Sequence, residues 1–200
     1  MVGHLFCIAC YYGHVEIVKL LLNDKRVDIN KSNEDSWTPI YTSCQNGHFE
    51  IVKLLLNDKR IDVKNAGWHD QTLFFIACEN KHIEIVKLLL NDERVDVNKA
   101  NGYGNTPLDV ICSNGHIEIM KFLLSGREVD LNPKGRYGKT AIENARDIEK
   151  EEKRFWESEE KFHKRKRDYR EMIEILESYQ RNPNETRTKL RIQLASKNFS

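Results

Sequence analysis

Four cysteines (Cys10, Cys44, Cys78, Cys112) and four histidines (His14, His48, His82, His116) are the residues best suited to bind a metal or form a nucleophile–base pair. Their spacing argues against both. Within each set the members stand 34 residues apart, so each recurs at one place in a repeated unit. Stacked units hold like positions about 10 Å apart, the spacing of packed helices. A disulfide needs Cα atoms within about 7 Å, and zinc needs all its ligands about 2 Å from one ion. The four cysteines therefore read as small core residues, and Cys7, outside the array, as a free thiol. No Cys/His pair has zinc-finger spacing. The chain also lacks a Gly-x-Ser-x-Gly elbow, a phosphate loop ending in Lys-Ser/Thr, and a His-Glu-x-x-His helix. Its carboxylates are periodic or lie in one charged segment, with no pair placed to take opposed pKa values. The expectation is no catalytic residue, no metal, no cofactor and no small-molecule substrate.

The elements that place these residues come from one repeat. His14-Val15-Glu16-Ile17-Val18-Lys19-Leu20-Leu21-Leu22 returns with small changes at 48–56, 82–90 and 116–124. Val27-Asp28-Ile29-Asn30 returns at 61–64, 95–98 and 129–132, and Thr38-Pro39-Ile40-Tyr41 at 72–75, 106–109 and 140–143. Three elements in one register over four periods predict a repeat architecture, to be sought before any other fold. Each unit reads as two short helices. Thr38 and Thr106 suit a helix N-cap with proline in the first turn, and Gly13, Gly47 and Gly115 suit a left-handed C-cap. Lys81 takes that place in the third unit at a cost of about 1 kcal/mol. The second helix carries a wide apolar face, such as Ile51, Val52, Leu54, Leu55 and Leu56, which one unit cannot bury alone.

Thr-Pro-Ile-Tyr followed by Asn-Gly-His-Phe-Glu-Ile-Val-Lys-Leu-Leu-Leu and Ile-Asp-Val resembles the ankyrin repeat. The resemblance covers roughly residues 2–145 and implies an all-α helix-turn-helix solenoid with short hairpin-like finger loops. The period exceeds the usual ankyrin length by one residue, placed in the loop Asn57-Asp58-Lys59-Arg60. The third unit departs most, with Leu73 for proline, Phe75 for histidine and Lys81 for glycine. The implied layout is repeats at 1–30, 31–64, 65–98 and 99–132, with a terminal repeat beginning over 133–147. The resemblance also implies hydrogen bonds from the four histidines between repeats or to backbone, and loop closure by Asn30, Asn98 and Asn132.

Both ends depart from this pattern. The first unit starts at its first helix with no finger before it, as would follow if the chain were part of a longer protein. Near the other end, Glu171-Met172-Ile173-Glu174-Ile175-Leu176 echoes Glu118-Ile119-Met120-Lys121-Phe122-Leu123 at an offset of 53 residues, about 19 more than one period. The inserted stretch, 148–168, is dense in both charges and rich in helix formers. Ile148, Phe155, Phe162 and Tyr169 recur every seven residues in and beside it. It predicts one long charged helix or a helical hairpin standing off the stack, with a sparse coiled-coil line. A terminal outer helix follows at 169–180, and residues 181–200 read as a mobile basic tail.

Charged residues make up 32% of the chain, yet the net charge is only +1, so no overall field favours nucleic acid or membrane. No apolar run reaches the length that spans a bilayer, and the first residues lack a signal-peptide pattern. The expected setting is cytoplasmic, with nuclear entry through Lys164-Arg165-Lys166-Arg167 as an alternative. The sequons Asn184-Glu185-Thr186 and Asn198-Phe199-Ser200 are then silent.

The resemblance implies an interaction scaffold, monomeric, that binds a protein or peptide through fingers and inner helices. A regulatory or targeting part of a larger, possibly enzymatic, protein is the other reading. The expected finger residues are Glu34, Asp35, Trp37, Trp68, His69, Gln71, Tyr103, Asn105, Arg136 and Tyr137. Tyr11, Tyr12, Gln45 and Glu79 join them from the first helices. Two of the three tryptophans fall on fingers, and exposed Trp and Tyr are the usual anchors of interfaces.

Overall fold

In the computed structural model the described residues are 2–64 and 67–197, and they divide into two compact units, Met1–Gly102 and Tyr103–Ser200. The sequon at Asn198 lies outside the described residues. Eleven α-helices and no strand are found among them.

The N-terminal unit contains three helix pairs: α1 (Val2–Tyr12) with α2 (Val15–Asn23), α3 (Pro39–Gln45) with α4 (Phe49–Asn57), and α5 (Leu73–Glu79) with α6 (Ile83–Leu90). First helices pack on first helices and second on second. The capping threonines act as their positions predict. Thr38 and Thr72 accept hydrogen bonds from the amides of Tyr41 and Phe75, which satisfies donors that a helix start leaves free. The shared seam holds Ile51, Leu55, Ile85 and Leu89, all at most 1% exposed. None of the five cysteines forms a disulfide, and all are buried.

The loop expected to hold the residue that lengthens the repeat has a structural task. In each loop after a second helix an aspartate grips an arginine two residues on: Asp24–Arg26, Asp58–Arg60 and Asp92–Arg94. Arg60 then reaches back and donates to the Leu22 carbonyl at 2.8 Å, and Arg94 does the same to Leu56 at 3.0 Å. Each arginine thus satisfies a carbonyl left open at the end of the preceding repeat's outer helix. Asn30 ties the same loops together, donating to the Arg60 carbonyl and accepting from the Asp62 amide.

The C-terminal unit contains α7 (Pro107–Ser113) with α8 (Ile117–Gly126), α9 (Ala141–Lys150) with the 23-residue α10 (Glu159–Arg181), and α11 (Pro183–Lys197). Thr106 and Thr140 form reciprocal capping boxes with Asp109 and Glu143.

Three features of this unit differ from expectation. The charged insertion is not one helix: its first residues finish α9, 151–158 leave the helix, and the rest opens α10. The seven-residue line is therefore broken, with Phe155 fully exposed in the loop and no coiled-coil seam. Nor does the segment stand off the repeats, because α10 packs on both α8 and α9. Finally, the residues expected to be a mobile tail fold as α11 against α8 and α10. Leu190 and Thr186 are buried there, and Arg191 donates to the Ser125 carbonyl at 2.8 Å. The basic composition suggests a loose tail. What it hides is that Arg187 and Arg191 find backbone carbonyls, those of Arg127 and Ser125.

Candidate protein-binding surface

The surface starts from the turns that join the paired helices. Gly13 and Gly47 sit at φ +78° and +77°, where side-chain-bearing residues are strained. A methyl on Gly13 would lie 2.6 Å from the His48 ring, and one on Gly47 equally close to His82. The open space lets His48 Nε2 bond the Tyr11 carbonyl at 2.8 Å and His82 Nε2 the Gln45 carbonyl at 2.9 Å. The inter-repeat role expected of these two histidines is therefore seen, and the end of each inner helix is fixed by the next repeat. Lys81 keeps the same turn at φ +60° with no glycine.

The C-terminal unit makes the same bond with a different residue. The Tyr169 hydroxyl donates to the Ser113 carbonyl at 3.0 Å and lies 3.3 Å from where a Gly115 methyl would be. Ser113 occupies the repeat position of Tyr11 and Gln45. The sequence carried the signal, since the 53-residue offset that aligns Glu171 with Glu118 also sets Tyr169 against His116. Only the change of residue type concealed it.

Tyr11 and Tyr12 are exposed at the end of α1, in edge contact at 5.0 Å. Gln45 and Glu79 are half-buried, and burial raises the Glu79 carboxyl above its usual range. The fingers differ among themselves. In the first, Asn33 accepts from the amides of Asp35 and Trp37, and Glu34 and Asp35 face solvent. Trp37 is half-buried with its ring 6.1 Å from that of Tyr41. Its indole nitrogen, like the Gln45 side-chain oxygen, is buried without a hydrogen-bond partner.

In the second finger the backbone closes from Gly67 to Gln71, with Trp68–Asp70 as a single tight turn. His69 and Asp70 take left-handed backbone angles, φ +53° and +57°. The turn is held from the side by the Gly102 amide, which donates to the His69 carbonyl at 2.7 Å. Trp68 projects from it 61% exposed, its ring 4.3 Å from the His69 ring. Gln71 points inward and accepts the Tyr41 hydroxyl at 2.8 Å, and burial raises that phenol to about 12.

In the C-terminal unit two fingers meet. Asn105 Oδ1 accepts the Arg136 amide at 2.8 Å, and the Arg136 guanidinium lies 4.9 Å from the Tyr103 ring and 5.9 Å from the Tyr137 ring. Such stacking keeps an exposed arginine and two tyrosines in one arrangement.

The basic run is divided by its surroundings. Arg165 is fixed by both Glu157 oxygens at 2.9 Å and by the carbonyls of Ile148 and Glu152, and Lys166 donates to the Glu149 carbonyl. Lys164 and Arg167 remain exposed. In the sequon at Asn184, Thr186 is buried within α11. No helix among the described residues is long and apolar enough to cross a membrane.

Helix pairs with capped starts, left-handed turns and projecting fingers define a repeat scaffold. Comparison with family models agrees: "ankyrin repeats (many copies)" matches residues 6–56, and "ankyrin repeats (3 copies)" matches residues 57–135. The chain belongs to the ankyrin-repeat family. Ankyrin repeats are generally protein–protein interaction modules, and proteins built of them are typically non-enzymatic scaffolds. A search of curated proteins returned no match.

Proposed function

We propose that this chain is an interaction scaffold that grips a protein or peptide through its fingers and the neighbouring ends of its inner helices. Trp68 is the observation that carries the proposal. A tryptophan 61% exposed on a turn with two left-handed residues is an arrangement that core packing does not require. A large ring held in place loses little entropy on binding, which is why such residues dominate interfaces. Tyr11 and Tyr12 in the same unit, and Tyr103, Arg136 and Tyr137 in the other, offer the same chemistry. Glu34, Asp35 and His69 add polar selectivity. Trp37, Gln45, Gln71 and Glu79 support the surface from beneath.

The test uses Trp68→Ala together with Tyr103→Ala, both at exposed sites. The double variant should keep its helical circular dichroism and lose about tenfold or more of the partner retained in affinity capture from native extract. Undiminished capture by the folded variant would remove the proposal.

A further inference from the structure

The C-terminal unit contains a second site away from the fingers. A cavity of about 410 Å³ opens among the turn Ser113–Gly115, the end of α9 at Ile148, the 151–158 loop and the first turns of α10. Its charged lining is four cations, Arg154, Lys161, Lys164 and Arg165, against one carboxylate, Asp168. Two of these cations are matched, as most in this stretch are, so the excess rests on Lys161 and Lys164. Arg165 is held by Glu157, and Arg154 by Glu151. Lys153, Arg170 and His163 also find carboxylates. Lys161 and Lys164 stand one helical turn apart and exposed, and among the described residues neither ammonium has an ion-pair partner.

The rest of the cavity suits a negative ligand. The Ser113 carbonyl, which would repel one, is covered by the Tyr169 hydroxyl. Arg154 is carried by a loop that Arg165 holds at Glu152 and Glu157 while also bonding the Ile148 carbonyl at the end of α9, so it is already in place. Cations gathered over a low-dielectric wall, here Ile148 and Tyr169, attract carboxylates more strongly than cations spread on an open surface. The two residues after Arg154, Phe155 and Trp156, are 101% and 81% exposed and give the same loop an apolar tip.

We propose that this cavity is a recognition site for an acidic peptide segment, with Lys161 and Lys164 as its principal contacts. It lies beside the inner-helix end of α7, and none of its charged contacts is a finger residue. The probe is a fluorescein-labelled dodecapeptide of glutamates around a central phenylalanine, titrated with the full chain by anisotropy, beside its all-glutamine counterpart. Saturable binding of the glutamate peptide alone is expected. Lys161→Glu with Lys164→Glu should weaken it about tenfold, and raising the salt should weaken it too.

Asp168→Asn, which removes the carboxylate that lines the cavity, should tighten it. Lys25→Glu with Lys59→Glu, an equal charge change elsewhere, should leave it unchanged, as should the Trp68/Tyr103 double variant. Equal weakening by both lysine pairs would reduce the effect to net charge and overturn the proposal. So would failure of the glutamate peptide to saturate. The same variants titrated with phosphatidylserine–phosphatidylcholine vesicles separate the other source of anions. Vesicle binding lost with Lys161 and Lys164, without peptide binding, would assign the cavity to membrane headgroups and overturn the peptide assignment.

Discussion

Gly47 is constrained twice, by a left-handed backbone angle and by the His82 ring that fills the place of a side chain. Gly138 has the first constraint, φ +70°, and not the second, since nothing lies within 4 Å of its missing methyl. Gly47→Ala should therefore cost about 2–3 kcal/mol and Gly138→Ala about 1 kcal/mol, read from urea midpoints. Equal costs would mean that the histidine bond to the inner helix is dispensable. Asp109 sets a different test. One of its oxygens closes the capping box with Thr106, and the other is buried without a partner. Burial pushes its carboxyl above the ordinary 3.8. A folded state that holds the proton more tightly than the unfolded state has the full stabilisation below the ordinary value and loses it as pH rises from there through the raised value. From pH 4 upwards, Asp109→Asn should flatten this part of the stability–pH curve relative to wild type. Chemical denaturation at several pH values would show it, and parallel curves would contradict it.

At the level of elements, the legible parts were those that local chemistry fixes. Threonine caps, glycine turns and the apolar stripe of each second helix follow from residue type and spacing alone, and Thr38, Gly47 and Ile51 stand where those rules put them. The misread parts depend on distant partners. Helix formers from 149 to 168 suggest one long helix or a helical hairpin standing off the stack; instead the chain leaves α9 at Glu151 and re-enters helix at Ser158, whose hydroxyl caps α10, packed on the repeats. What makes the break tolerable is Arg165, which ties Glu152 and Glu157 of the loop, and the Ile148 carbonyl of α9, to the helix that follows. Arg165→Ala should leave the helix content intact and speed hydrogen exchange of the Arg154 and Glu157 amides, which bond within that loop. Unchanged exchange would show that the loop needs no clamp. Tyr169 is the instructive middle case. Its repeat position was readable, but a phenol in place of an imidazole concealed that it bonds the Ser113 carbonyl as His48 and His82 bond theirs.

For the whole molecule, the repeat announced the fold class, because three motifs in one register leave few other ways to bury the leucines of the second helices. It did not announce which finger residues face outward. Trp37 and Trp68 both lie on fingers, yet one packs on Tyr41 and the other projects into solvent. That division is set by the left-handed turn at His69 and Asp70 and by the Gly102 amide, which spacing cannot reveal. The most direct test places a photo-crosslinking residue at Trp68, and in separate chains at Glu50 and Glu84, which are exposed on the outer helices α4 and α6. Irradiation in native extract should give discrete partner adducts from position 68 and none from 50 or 84. Adducts from the outer helices with none from position 68 would contradict the account.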